Sequence, residues 1–345
     1  MNIQDLIRPT IKALKPYSSA RDEFQGNSDD MVFLDANENP FENGVNRYPD
    51  PQQRTLKSLL SKIKGVPQQS ILLGNGSDEV LDLIYRTFCE PNQDNIITLP
   101  PTYGMYSVLA NINAIEIKSV QLDADFQPKF DEILNIANAN SKLLFLCSPN
   151  NPTGNSFEAK SIEKLIKAFK GIVVIDEAYI DFSNKESWIS RLNEFSNLII
   201  TQTLSKAHGM AGIRLGICYA SEEIISVLNR IKPPYNVNIL TQQKAISQLE
   251  QQGLTQNQVT NILKERDLLI TKLESIDYIS KIYPSDANFV LVEVDDANKR
   301  YDQLIDKGIV IRNRTTQPGC ENCLRFTIGT PKENRTLIDT LKSIS

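Results

Sequence analysis

The chain has 345 residues, 41% of them hydrophobic and 23% charged, an ordinary globular composition with room for two domains or one large domain with a lobe. The formal net charge is −5 and no Lys/Arg-rich tract stands out, which excludes the broad basic field that holds nucleic acid. No apolar run approaches membrane-spanning length, and the opening MNIQDLIRPTIKALKPY alternates apolar and polar residues where a signal peptide would be continuously apolar, so a soluble cytoplasmic protein is expected.

Taken in chain order, ILL (71–73) precedes the helical SDEVLDLIYRTFC. NIITL (95–99) precedes PPTYGMYSVLANI, and AIEIKSV (114–120) follows. KLLFLC (142–147), GIVVI (171–175), NLIIT (197–201) and LGICY (215–219) come next, mostly separated by helical stretches. Short strands that are apolar on both faces and alternate with helices predict an α/β fold with a mainly parallel sheet covered on both sides. The double proline in KPPYNVN (232–238) ends whatever helix precedes it. Beyond it the pattern predicts long helices over 241–252 and 258–276. Short strands follow around 279–283, 289–294, 309–312 and 323–328, with helices at about 299–307 and 331–344. This part reads as a smaller α+β lobe. The expected division is an N-terminal arm, 1–35, joining the small domain, a large domain over 36–235, and a small C-terminal domain over 236–345.

The five cysteines, Cys89, Cys147, Cys218, Cys320 and Cys323, are odd in number and scattered, which suggests free thiols in a reducing compartment. CENC (320–323) has C-x-x-C spacing but no second pair, and His208 is the only histidine, so no metal site is expected. The chain has no G-x-x-x-x-G-K-[ST] loop and no G-x-S-x-G elbow, and GNGSDE (74–79) lacks the third glycine of a dinucleotide-binding turn. Ser-His-Asp catalysis would have to use His208, which shares a turn with Lys206.

Polar clusters follow the strands at their carboxyl ends: GNGSDE after 71–73, SPNNPTG after 142–147, DEAY after 171–175 and QTLSKAHGMAGIR after 197–201. In a parallel sheet such clusters can converge on one crevice. Lys206 lies there, brought by a strand end into a turn of small residues, which is not the setting of an ordinary solvated lysine.

The ordered set GNGSDE, PPTYG, SPNNPTG, VVIDEAY and TLSKAxGxAGxRxG resembles the fold-type I, pyridoxal-phosphate-dependent aminotransferases, almost end to end. LDANENP (34–40) with NRYPDP (46–51), and the ending CLRFTIGT (323–330), are similar to the histidinol-phosphate aminotransferase subfamily. The resemblance implies pyridoxal 5'-phosphate as cofactor and a homodimer with a shared active site. It also implies amino transfer between glutamate and imidazole-acetol phosphate, with histidinol phosphate and 2-oxoglutarate as the reverse pair.

The same resemblance implies roles for individual residues. Lys206 would bond covalently to the cofactor aldehyde, for which its amine must be neutral, and later shuttle a proton at the substrate Cα. Asp176, after a buried apolar run, would keep the pyridine nitrogen protonated. Tyr179 and Asn151 would bond the 3-hydroxyl, and Tyr103 would stack on the ring. Gly76, Ser77 and Asp78 would start a helix whose free N–H groups suit the cofactor phosphate. The acidic side chains of Asp78 and Glu79 have the wrong charge for a dianion, so Ser205 and Arg214 are the expected supplements. Tyr48 would reach the phosphate of the neighbouring subunit. Tyr17, Asn37, Arg312 and Arg325 would meet substrate, with Arg314 close enough to Arg312 to be the arginine used. His208 departs from the bulky aromatic or apolar residue common at its position and is expected to pack as an imidazole in that slot.

Three other functions remain open at this level. One is an aromatic or broad-specificity aminotransferase, and another is a cofactor-dependent decarboxylase of the phosphothreonine type. The last, a non-catalytic pyridoxal-phosphate-binding regulator, would need a DNA-binding extension or basic module that the sequence lacks.

Overall fold

The computed structural model describes residues 2–15, 17 and 31–344. Its main sheet has seven strands: β1 (Ile71–Asn75), β2 (Asn95–Thr98), β3 (Glu116–Ser119), β4 (Ser141–Cys147), β5 (Ile172–Asp176), β6 (Leu198–Thr203) and β7 (Leu215–Ala220), in the order β1-β7-β6-β5-β4-β2-β3. The neighbours from β6 through β5, β4 and β2 to β3 pair in parallel, and β7 pairs antiparallel with both β6 and β1. The sheet is therefore mainly parallel, as the alternating pattern predicts. The exception has a simple cause: the connection 204–214 is too short for a crossover helix, so the chain must turn straight back.

Side chains alternate between the two faces of this sheet. Leu73, Leu144, Val173, Ile175 and Ile200 enter one core, while Leu72, Leu143, Phe145, Val174 and Ile199 enter the other. Burial on both sides leaves only the strand ends open to carry chemistry.

A second sheet contains β8 (Ile279–Ile282), β9 (Phe289–Val294), β10 (Arg312–Asn313) and β11 (Cys323–Thr327), antiparallel throughout and ordered β10-β11-β9-β8. Val290, Val292, Leu324 and Phe326 pack on one side of it with Leu273 and Leu341 from the helices Gln252–Leu273 and Pro331–Ser343. Leu291 and Cys323, of opposite alternation, join the core of the main sheet. Tyr179 and Ala207 pack with Val259 and Phe289, so the second sheet is anchored beside the Lys206 turn.

Three features of packing bear on the expected layout. In the arm, the described residues 2–14 pack on the main sheet's side. Ile3 and Ile7, spaced for one helical face, are buried in the core that contains Val80, Ile84, Ile224 and Leu228, and Arg8 pairs with Glu90 at 3.2 Å. Helix Ile239–Leu249, expected in the small domain, buries Ala245 and Leu249 in the core that contains Leu56 and Leu60 of the main sheet's flanking helix. The strand expected over 309–312 is reduced to Arg312–Asn313. Val310 is 82% exposed, so the run preceding Arg312 is not covered on both faces. Among the described residues no helix is long and apolar enough to cross a membrane.

Candidate active site

The carboxyl end of β1 supplies an anion-binding turn. Gly76 precedes helix Ser77–Phe88 with φ +86°, a conformation that favours glycine, and no side chain caps the helix. Its first N–H groups are thus left for a ligand. The packing around this turn is close: a Cβ on Gly76 would meet Arg214 Nη2 at 2.6 Å, and one on Gly216 would meet Ser77 N at 2.3 Å. Arg214 itself lies 3.7 Å from Asp78, whose carboxylate also accepts the Tyr103 hydroxyl at 3.1 Å. The Asp78 side chain, of the wrong charge for a phosphate, is thus engaged by Arg214 and Tyr103, which leaves its N–H at the helix start.

Asp176 ends β5, where burial on every side raises its pKa above the ordinary carboxylate value. The Tyr106 hydroxyl donates to its Oδ2 at 2.8 Å, and Ala178 N–H to its Oδ1 at 3.2 Å. Among the described residues it has no ion-pair partner. Tyr179 follows on the same turn and accepts from Asn151 Nδ2 at 3.3 Å. Burial pushes the Tyr179 phenol far up, so it stays protonated and able to donate.

Lys206 lies in the β6–β7 turn, with its Nζ 5.6 Å from the Tyr179 ring centre. Its pKa is lowered, first by burial, then by Arg325, with Arg214 adding to the effect against the opposing pull of Asp176. This shift favours the neutral amine.

One cavity of about 140 Å³ joins these groups. Ser77, Asp78, Tyr103, Asn151, Asp176, Tyr179, Ser205, Lys206 and Arg214 all line it, although they come from six separate stretches of chain. Arg325 on β11 does not line it, but its Nη1 donates to Asn151 Oδ1, and its guanidinium lies 4.9 Å over the Phe289 ring.

Besides Arg325, the expected site residues Gly76, Arg312, Tyr17, Asn37 and Tyr48 do not line this cavity, Gly76 being next to it in the helix-start turn. Arg312 is exposed, Tyr17 is 76% exposed, and Asn37 and Tyr48 lie in an irregular segment with little to bury against. Tyr48 stacks on Tyr235, ring centres 4.4 Å apart. His208 lines a separate cavity of about 170 Å³ with Lys64, Asp181 and Thr255, and burial lowers its pKa.

Tyr106, Cys147 and Thr203 were not singled out in the sequence. Cys147 and Thr203 line the cavity, and Tyr106 lies beneath it on helix Met105–Ile112. The available signal was the three-residue spacing of Tyr103 and Tyr106; the helix begins only at Met105, but the two rings meet edge to face with centres 5.5 Å apart. Replacing Tyr106 by phenylalanine removes a donor from a buried carboxylate and is expected to cost about 1–3 kcal/mol of stability. Denaturant unfolding measures the loss; it should shrink when Asp176 is already asparagine, because the remaining oxygen is then uncharged.

The chain belongs to the class I and II aminotransferases: the model of that family, "Aminotransferase class I and II", matches residues 28–341. Within it, the chain groups with the histidinol-phosphate aminotransferases. It is 62% identical to that enzyme of Flavobacterium johnsoniae over 345 residues, covering 100% of this chain and 99% of the relative. It is 54% identical to that of Parabacteroides distasonis over 343 residues, covering 99% of each. Among solved structures it is similar to the histidinol-phosphate aminotransferase from Clostridium acetobutylicum, with a TM-score of 0.81 and 26% identity over 87% of this chain and 91% of that one.

Proposed function

We propose that this aminotransferase exchanges an amino group between histidinol phosphate and 2-oxoglutarate, yielding imidazole-acetol phosphate and glutamate, with pyridoxal 5'-phosphate as cofactor. The observation that carries the reading is the donor set of the 140 Å³ cavity. A buried carboxylate without a cation, a lysine of lowered pKa, and an uncapped helix N-terminus beside an arginine suit the pyridine nitrogen, aldehyde and phosphate of that cofactor. When bound, the cofactor supplies an electron sink for charge that develops at the substrate Cα.

The residues would divide the work as follows. Ser77 N–H, Ser205 and Arg214 hold the phosphate. Asp176, kept in place by Tyr106 and Ala178 N–H, retains the proton on the pyridine nitrogen. Tyr179 and Asn151 hold the 3-oxygen, and Tyr103 covers the ring face. Lys206 Nζ would hold the aldehyde carbon, and its neutral amine would take a proton from the substrate Cα and return it. Arg325 receives the substrate anion, and its bond to Asn151 ties substrate binding to the 3-oxygen. The second half of the reaction reuses the same groups with the other substrate pair.

The same proposal includes a homodimer in which Tyr48 enters the partner's site. Met31, Val32, Leu34, Phe41 and Val45 are all exposed in the single chain, which supports a covering partner for that segment. It also includes a large cofactor-binding domain and a smaller C-terminal one, with the junction after helix Ile239–Leu249.

A single-turnover assay tests the substrate. Cofactor-loaded enzyme is mixed with histidinol phosphate and, separately, with phenylalanine, and the visible absorption of the bound cofactor is followed. Fast loss of the band with histidinol phosphate is expected. A preference for phenylalanine would make the protein an aromatic aminotransferase. Release of carbon dioxide from a phosphorylated amino acid, with no amino transfer, would make it a decarboxylase.

A further inference from the structure

Helix Arg54–Lys64 buries a lysine among its core positions. Lys57 lies between Leu56 and Leu60, which enter the main core, and is only 7% exposed. Among the described residues its amine has no hydrogen-bond or ion-pair partner. Lys232, buried close by, shows how such a group is ordinarily satisfied: its Nζ donates to Pro51 O at 3.1 Å and to Asn236 Oδ1 at 3.2 Å. Lys57 instead lines a cavity of about 420 Å³ between its own helix, residues 68–71 and helix Glu222–Ile231. No residue of this cavity lines the cofactor cavity. Glu222, Ile225 and Asn229, spaced for one helical face, form its second wall, and Asn229 Oδ1 is buried without a hydrogen-bond partner.

The charges that act on Lys57 are unbalanced. Lys232 and Arg54 are cations, opposed by the single carboxylate of Asp50. That carboxylate is already engaged. It pairs with the Arg54 guanidinium at 2.7 Å and accepts the Gln52 N–H at 2.9 Å and the Arg54 N–H at 2.7 Å. Glu222 lines the cavity but is exposed to water, which screens it. Burial, then Lys232, lowers the pKa of Lys57 to about 8. An amine withdrawn from water and set beside another cation is an activated nucleophile.

The unmet groups define the electrophile. The product should be an anion, to offset Lys232 and Arg54, and should keep one N–H for Asn229 Oδ1. An aldehyde would leave a neutral or cationic imine. A free, fully ionised anion would hold the amine protonated and offer Asn229 Oδ1 no donor. Carbon dioxide meets both conditions, because its adduct with an amine is a carboxylate on a nitrogen that still carries one hydrogen.

We propose that Lys57 is a carbamate site, at which carbon dioxide bonds to the buried amine between helices Arg54–Lys64 and Glu222–Ile231. The nitrogen lone pair forms the N–C bond, one C–O π bond opens to give the carboxylate, and the nitrogen releases one proton to water. No oxidant or reductant is required. The new carboxylate accepts from Arg54 and from the amides of Gln68 and Gln69, which line the same cavity, and the remaining N–H donates to Asn229 Oδ1. This site does not depend on the proposed reaction.

The test uses cofactor-loaded protein, in which Lys206 is occupied. It is equilibrated near pH 8, the value at which the Lys57 amine is half neutral, with carbon-13 bicarbonate or with chloride at equal ionic strength. Carbon-13 NMR reads the carbamate, and alkyl trapping followed by peptide mass mapping locates it. Wild type is compared with Lys57→Met and Lys57→Arg, neither of which has an amine that can lose its charge and react. We expect one carbamate signal in wild type, mapped to Lys57, and its loss in both variants. Bicarbonate should raise the unfolding temperature of wild type by about 1–3 °C over chloride and leave the variants unmoved. Turnover of the variants should match wild type, since Lys57 lies outside the cofactor cavity. No signal in wild type would overturn the proposal. So would a signal that persists in both variants, which would place the carbamate on another amine. If bicarbonate and inorganic phosphate raise the unfolding temperature alike and no carbamate is trapped, the cavity is a plain anion site and the covalent proposal fails. Should neither variant fold, the wild-type map decides: a label on Lys57 supports the proposal, and a label elsewhere removes it.

Discussion

Lys206→Ala is expected to lower turnover by roughly 10⁴-fold or more, because it removes both the covalent anchor and the proton carrier, each a large contribution by itself. The visible absorption of lysine-bound cofactor should vanish with it. Stability should change little, since Lys206 lines the cavity and belongs to none of the hydrophobic cores. Lys206→Arg serves as the control for charge. Burial, Arg325 and Arg214 lower the pKa of the native amine, and this tuning matters only if the neutral form is used. Arginine stays charged in the same place, so it should be as inactive as alanine. Absorption spectra and half-reaction rates check both variants; wild-type rates in either would remove Lys206 from the chemistry.

Asp176→Asn separates function from stability. Turnover is expected to fall about 10²- to 10³-fold, the usual effect of losing one preorganised electrostatic group, because an amide cannot keep the pyridine nitrogen protonated. The cofactor-free protein should be at least as stable as wild type. Asp176 is buried without a cation among the described residues, so its charge costs desolvation energy, while asparagine can accept the Ala178 N–H at its single oxygen and donate its amide N–H to the Tyr106 oxygen. The pH dependence follows the same sign. Because the folded-state pKa is raised, the folded protein holds the proton more tightly than the unfolded one between the two pKa values. This term stabilises the cofactor-free wild type as pH falls through the folded pKa and is lost as pH rises through it. The variant should lack that slope. Thermal unfolding of cofactor-free protein across acidic pH, alongside half-reaction rates, measures both effects. Full activity in the variant, or marked destabilisation at neutral pH, would overturn this account of Asp176.

The expected site residues that the structure brings together are those attached to strand ends. Ser77, Asn151, Asp176, Tyr179, Lys206 and Arg214 each lie within a few residues of β1, β4, β5, β6 or β7, and all line one cavity. The N-terminal residues were harder. Ile3 and Ile7 are spaced for burial, but nothing local says which surface will cover them, and they chose the helices of the main sheet. Tyr17, Asn37 and Tyr48 belong to motifs that local order does not position, and in the single chain they stay away from the cavity.

Tyr106 shows a different limit. Its helical position was legible, but its bond to Asp176 joins residues 70 apart in the chain and depends on how the helix seats on the sheet. The bond from Arg325 to Asn151 spans 174 residues and depends on the docking of two sheets.

The sequence by itself determined the α/β class and the set of loops that meet at the carboxyl edge of the main sheet. Two-sided apolar strands alternating with helices have few solutions, and in each of them those loops share one edge. Only the tertiary structure decided that Asp78 faces Arg214 and Tyr103, and that Tyr106 supports Asp176. Those choices depend on side-chain direction and on register between distant strands, and neither is written in the local period of the chain.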